Sequence, residues 1–281
     1  MTNSERGTIM AIDNSFMIKK MEQFTSIYVL YSAYTHLPFV ECDEETFDDQ
    51  VYCFTTKEMT NTFAHPYILE KILLQAVEVP QAMMKRFFRS LYLYGVNAIM
   101  IQDEGAPVRV QLDQIAEKPD LDALQNEKIP KANPELQLTA IYFMQDLMRP
   151  VERNMEEKKH LHDLEEEMAH NLLRSRFIIT ADVSRLDGPI TKENISKAGV
   201  PLIKTKNGHV YQPVYTDFGE VQKFNHNNKG LKLQMLPVTY DKLSAFLVGQ
   251  AEGFAFNPGG FNLVLNRDQL KNMQLRYGEQ E

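Results

Sequence analysis

The feature that most restricts what this chain can fold into is that its two halves carry the same signals in the same order. Cys53-Phe-Thr-Thr-Lys-Glu-Met-Thr-Asn-Thr-Phe63 aligns with Val214-Tyr-Thr-Asp-Phe-Gly-Glu-Val-Gln-Lys-Phe224 at an offset of 224 − 63 = 161. The alignment sets Phe54 on Tyr215, Thr55 on Thr216 and Phe63 on Phe224. Pro80, followed by a helical pattern ending at Gly95, corresponds to Pro237 and a pattern ending at Gly253. Val108-Arg-Val-Gln-Leu-Asp-Gln-Ile115 then matches Leu263-Val-Leu-Asn-Arg-Asp-Gln-Leu270 at an offset of 270 − 115 = 155. The offset falls slowly, as it does when loops lose a few residues. Two diverged copies of one module are expected, and a repeat has to be recognised before any single element is read.

Within each copy, local patterns predict strands interleaved with helices. In the second, β-rich runs lie at Arg176 to Thr180, Pro201 to Thr205, Val210 to Tyr215, Leu231 to Leu236, Gly253 to Phe256 and Asn262 to Leu265. Asn207-Gly208 predicts a type I′ hairpin, since both residues accept positive φ. Thr216 and Asp217 can each cap a helix over Phe218, Val221 and Phe224. Tyr240, Leu243, Phe246 and Leu247 form one apolar helical face, and a last helix starts at Asp268. In the first copy, strands are expected at Ile27 to Tyr31, Pro38 to Glu41, Val51 to Phe54, Ile72 to Val77, Ala98 to Ile101 and Val108 to Leu112. Its helices are Lys57 to Phe63 and a longer one carrying Met83, Met84, Phe87, Phe88 and Leu91. Strands alternating with helices around a hairpin predict an α/β (α+β) fold: two tandem mixed-sheet modules with flanking helices, joined by a long helical segment.

The organisation that follows is a first module over 1–115, a linker and helix over 116–150, and an amphipathic helix with the second module over 151–281. Ala116 to Glu135 is polar and holds Pro119, Pro130 and Pro134; Pro150 interrupts the apolar helix after it. Val151, Met155, Leu161, Leu164, Met168 and Leu172 mark the amphipathic stripe.

Composition excludes several functions. Asp and Glu number 38 against 30 Lys and Arg, a net charge of −8, so no broad positive field draws nucleic acid or an anionic membrane, and neither is expected as a partner. The apolar run Ile9 to Ile12 is too short for a signal-peptide core, and no later run is long enough to span a bilayer. Two cysteines without metal-ligand spacing, Cys42 and Cys53, read as reduced thiols of a cytoplasmic protein.

Val214-Tyr-Thr-Asp217, the helix to Phe224, Leu236-Pro237 and Gly253-Phe-Ala-Phe-Asn-Pro-Gly-Gly260 together resemble the SseB N-terminal-domain family of bacteria, named for enhanced serine sensitivity. In that family a strand ends in an aromatic-Thr-Asp or aromatic-Thr-Ser helix start, and an Asn-Pro-Gly turn separates the last two strands. The resemblance is good over about Asn171 to Met273 and weaker over about Phe24 to Ile115. There Thr56 replaces the Asp, and Gln102-Asp103-Glu104-Gly105 replaces Asn-Pro-Gly-Gly. It implies an α/β module without an established catalytic residue.

Phosphate loops and the common catalytic signatures are absent from the sequence, and no cofactor is expected. His162, Glu166 and His170 share a helix face, but one straight helix cannot wrap a metal, and a solvated face is the simpler reading. The acidic stretch Glu41, Asp43, Glu44, Glu45, Asp48 and Asp49 lacks the alternation of a calcium loop and reads as solvated. Cys53 reads as a packed hydrophobe. Asn257, Pro258, Gly259 and Gly260 form a tight turn whose glycines permit positive φ and whose amides could meet an anion or a partner strand. Tyr215, Thr216 and Asp217 are expected near it. Phe87 and Phe88 sit on a helix apolar over more than one face, a docking surface wherever it is exposed. The leading expectation is a non-catalytic protein that binds another protein or its own copy. The competing one is an enzyme or small-ligand sensor with its site between the modules, using Asp217, His209 or His226.

Overall fold

The computed structural model describes residues 14–120, 130–186, 198–227 and 230–278. Ile9 to Ile12 and the middle of the expected linker lie outside them. Contacts divide the chain into a first unit, Met1–Pro119 with Gln145–Arg153, and a second, Asp120–Met144 with Asn154–Glu281. The stretch 116–150 is therefore shared between the units.

The first unit opens with a helix over 14–21, α1, which no expected element covers. Then come β1 (Ser26–Ser32), β2 (Val40–Cys42), β3 (Asp49–Phe54), α2 (Lys57–Leu69), β4 (Leu74–Pro80), α3 (Gln81–Leu91), β5 (Ala98–Gln102) and β6 (Val108–Gln111). The strand order is β4-β1-β3-β5-β6, with β2 also on β3. Only β3 and β5 run parallel; the other pairs are antiparallel. The register Val29 on Cys53 and Cys53 on Ile101 puts Val29, Val51, Cys53, Ile99 and Ile101, all buried, on one face. Leu30 and Phe54 lie on the other face and form a core with Phe39 and Ala64, against which Met59, Phe63 and Tyr67 of α2 pack. Burial of Cys53 pushes its thiol pKa far up, as expected of a packed hydrophobe.

α2 runs past its expected end at Phe63 and through Pro66 to Leu69. Pro66 costs one helical hydrogen bond, but its φ suits a helix. The added turn lets Tyr67 pack edge-on to Phe39 at 5.4 Å and donate its hydroxyl to Glu41 Oε2 at 2.7 Å. The helix ends in a Schellman motif: Ile72 N–H donates to Tyr67 O at 2.9 Å and Lys71 N–H to Ile68 O at 3.1 Å. The left-handed position that glycine favours holds Lys71, at φ 61°. From 145–153, Gln145 accepts from Val40 N–H at 3.0 Å and donates to Val40 O at 2.9 Å, acting as a strand partner for β2.

One expectation for this unit is corrected and another refined. Phe87 and Phe88 are buried, their ring centroids 5.6 Å apart, because α3 packs its apolar side on β1 and β4. The acidic stretch is solvated as expected, and it is also an ordered turn built on Arg109. Asp43 pairs with the Arg109 guanidinium and accepts from the Thr46 N–H at 2.9 Å; Asp48 accepts from Asn97 at 3.0 Å and Gln111 at 2.8 Å.

The second unit comprises α4 (Pro134–Leu147, whose end from Gln145 counts with the first unit), α5 (Met155–Arg174), β7 (Arg176–Asp182), β8 (Ile203–Lys204), β9 (Val210–Val214), α6 (Phe218–Asn227), β10 (Leu233–Thr239), α7 (Tyr240–Phe246), β11 (Gly253–Phe256), β12 (Leu263–Asn266) and α8 (Arg267–Tyr277). β10 pairs with β7, while β12-β11-β9-β8 form a second ladder. The two ladders join at one antiparallel bridge, where Ile178 N–H donates to Tyr215 O at 2.7 Å and Tyr215 N–H to Ile178 O at 3.0 Å. The running order is thus β10-β7-β9-β11-β12 with β8 on β9, and again one central pair, β9 and β11, is parallel. Order and pairing senses repeat those of the first unit.

Helix starts repeat as well. Gln111 caps a 3₁₀ turn and Asn266 caps α8, each in a capping box with Gln114 or Gln269 three residues on. The Asp-Gln common to both sequences is therefore a helix-start signal. Pro237, aligned by sequence with Pro80, lies inside β10, whereas Pro80 ends β4; Thr239 is the residue that precedes α7 as Pro80 precedes α3. The β8–β9 connection is not type I′. Gly208 N–H closes on Thr205 O at 3.0 Å, and only Gly208, at φ 90°, takes the left-handed conformation. No helix among the described residues is long and apolar enough to cross a membrane.

Lys71→Gly removes the left-handed penalty at the end of α2, and is expected to stabilise the protein by about 1 kcal/mol in denaturant melts. Asn266→Ala removes the cap of α8 and is expected to cost about 1 kcal/mol in the same measurement.

Candidate functional site

Because β9 and β11 run parallel, their carboxyl ends lie side by side, the position where open α/β sheets form ligand crevices. The two ends are tied by a reciprocal pair. Thr216 N–H donates to Asn257 Oδ1 at 2.9 Å, and Asn257 Nδ2 donates to Thr216 Oγ1 at 2.8 Å. The Thr216 hydroxyl donates onward to Asp217 Oδ2 at 2.7 Å and accepts from Gln137 Nε2 of α4 at 3.2 Å. Asp217 Oδ1 accepts from Glu220 N–H at 3.2 Å and so caps α6. Of the two expected caps, only Asp217 serves; Thr216 is committed to the strand ends. Tyr215, Thr216 and Asn257 are all buried here.

The turn after β11 corrects the expected use of its glycines. Positive φ falls on Asn257 (45°) and Asn262 (54°), not on Gly259 or Gly260. Asn257 O accepts from Gly260 N–H at 2.7 Å and from Asn262 N–H at 3.1 Å, which closes the turn through half-buried Pro258. The glycines provide room instead. A Cβ on Gly260 would stand 2.9 Å from Glu220 Oε2, and one on Gly259 would stand 3.2 Å from Lys223 Cβ.

Glu220, unmarked in the sequence reading, is the charged residue at the centre of this arrangement. It is 3% exposed and takes a 2.5 Å contact from Lys223 Nζ on Oε1, while its Oε2 is buried without a hydrogen-bond partner. Burial pushes its carboxyl pKa up and the Asp217 carboxylate adds to the rise; Lys223 and the Gln137 amide pull it down. The signal that could have found it is Asp217-x-x-Glu220, the spacing of a capping box. Here the glutamate turns inward rather than back to the helix start. Gln137 carries no local signal, since it arrives from about 80 residues away in sequence.

The other candidates are not drawn into this cluster. His162 and His170 flank the Tyr277 ring at 6.4 and 6.1 Å, and no group of three or more metal-capable side chains that includes Glu166 forms among the described residues. His209 Nδ1 lies 2.9 Å from Glu252 Oε2 on an exposed hairpin, and His226 is exposed near the end of α6. In the first unit the equivalent strand ends are joined by the Thr55 hydroxyl, which donates to Asp103 Oδ1 at 2.7 Å, with Lys20 of α1 paired to Asp103. Thr56 caps α2 through Met59 N–H at 3.2 Å, so replacing the Asp keeps the cap.

Asn257→Ala strips both ties from Thr216 and leaves an L-residue other than asparagine at positive φ; a loss of about 2–4 kcal/mol in thermal or denaturant unfolding is expected.

No curated protein matches the chain. Among solved structures, Anabaena Tic22 (protein transport) matches at 10% identity over 82% of this chain and 85% of its own, with a TM-score of 0.21. Tic22 from Plasmodium falciparum matches at 11% identity over 94% and 99%, with a TM-score of 0.20. Residues 154–272 match the family model of the SseB protein N-terminal domain, so the SseB likeness read from the sequence is supported from the start of α5 into α8.

Proposed function

We propose that the chain is a non-catalytic, protein-binding scaffold of two tandem SseB-like units, which meets another protein or its own copy through an apolar patch on the first unit. The observation that carries this reading is the exposure of Ile68, Leu69, Leu73, Leu147 and Met148, with Leu69 77% exposed. Arg149 gathers them: its Nε and Nη2 donate to Glu70 O at 3.1 and 3.0 Å, holding residues 147–149 against the end of α2. Contiguous apolar side chains left in water mark docking surfaces more often than scattered ones do. Methionine and leucine there suit adaptable contacts.

The tandem reading is supported by the identical strand order and pairing senses of the units and by their matching helix starts. A binding role is further supported by the way the polar candidates are employed: Asp43 on Arg109, Thr216 on Asn257 and Asp217 on α6 are each committed to holding a turn or helix start. Free thiols at Cys42 and Cys53 fit a reducing compartment such as the cytoplasm.

The test pairs Leu69→Glu with Met148→Glu in the whole chain. Cross-linked capture from the native cell and sedimentation of the purified protein should show a partner, or a concentration-dependent dimer, weakened at least tenfold in the double variant, with circular dichroism unchanged. A single polar change such as Asp217→Asn that abolished cellular activity, while folding and association stayed intact, would overturn the reading.

A further inference from the structure

The carboxyl ends of β9 and β11 are closed by a group that water reaches poorly. Glu220 presents Oε2 to the backbone of Gly260, where an added Cβ would stand 2.9 Å from it, and that oxygen is buried without a hydrogen-bond partner. Gln137 Oε1, from α4, is likewise buried without a donor. A buried carboxylate oxygen left without a donor raises the cost of the charged form and favours the neutral one.

We infer that Glu220 is a protonation-dependent latch: neutral, it holds the turn from Asn257 to Asn262 against α6, and charged, it loosens that turn and opens the strand ends beneath it.

The charged groups that face it are both on α6. Lys223 contacts Oε1 from one turn further on, and Asp217 caps the helix one turn before. α4 contributes the neutral amide of Gln137, and the turn contributes Asn257 and Gly260, none of which titrates. The rest of the inward face of α6, Val221 and Phe224, meets Ile178, Met235 and Tyr215. Burial holds the Tyr215 phenol neutral well beyond the pH range at issue. Lys223 therefore sets where the latch releases, and Asp217 opposes it.

The direction follows from the raised carboxyl pKa. The closed form is fully favoured below the ordinary value of 4.5, and its advantage is lost as pH rises through the displaced value.

Amide hydrogen exchange read by NMR on the full chain between pH 4 and 8 tests this, with rates corrected for intrinsic exchange. Gly260 and Asn262, whose N–H groups both bond to Asn257 O, report the turn; Leu265, in the β11–β12 ladder, reports the sheet. In the wild-type chain, protection at Gly260 and Asn262 should fall with pH, about tenfold for each unit by which ionisation is displaced, while Leu265 stays flat. Glu220→Gln, which keeps the shape without the charge, should hold both amides protected throughout. Lys223→Met, which removes the ammonium favouring the charged form, should move the fall to higher pH. Equal pH profiles in wild type and Glu220→Gln would overturn the latch, and so would a Lys223→Met profile that did not move upward, even if the glutamine variant failed to fold.

Discussion

One parallel strand pair in each unit, β3 with β5 and β9 with β11, governs what surrounds it. Parallel neighbours cannot be joined by a tight hairpin, so the chain must cross over between them, and here a helix, a strand and a second helix fill that connection. The same geometry brings two carboxyl ends together at one edge of the sheet. Their last backbone groups need partners that the ladder no longer supplies. In the second unit Asn257 Oδ1 takes the Thr216 N–H, and the two side chains bond each other. In the first, Thr55 reaches Asp103, and Lys20 neutralises the charge so introduced.

What differs between the units is how polar the space beside those ends has become. Around Glu220 a carboxyl, an amide and a hydroxyl are packed beside the turn after β11. Burial of that carboxyl raises the free energy of its charged form. The corresponding α2 of the first unit carries aromatic side chains inward instead: Phe63 lies 4.6 Å from Tyr52 and 5.2 Å from Phe54. The first unit thus has an apolar helix interface at this place and the second a titratable one.

Elements whose signals are local were legible. The strands β1, β3 and β5, the cap Asp217 and the helix start at Asp268 in α8 follow from residues a few positions apart, whereas no expectation covers the Thr56 cap of α2. Misread features share a different character. Asn207-Gly208 reads as a type I′ turn, yet the register of Lys204 on Val210 leaves room for a longer loop in which only Gly208 is left-handed. The glycines after Pro258 read as conformational devices, but helix α6 lies so close that their missing side chains matter more than their φ. The acidic stretch is solvated as its composition implies, but its order is not legible, because Arg109 is 66 residues away from Asp43.

The sequence by itself determined the class of fold, the order of most strands and helices and several helix starts, because periodicity, capping and turn chemistry act over one or two turns of chain. Only the tertiary structure decided that Phe87 and Phe88 are core, that His162 and His170 attend Tyr277, and that Gln137, Thr216, Glu220 and Asn257 share one pocket. Burial and charge proximity depend on which distant segments a sheet register brings within a few ångströms, and no local pattern records that. The two units share a strand order and pairing senses, while the buried side chains beside their parallel pairs differ.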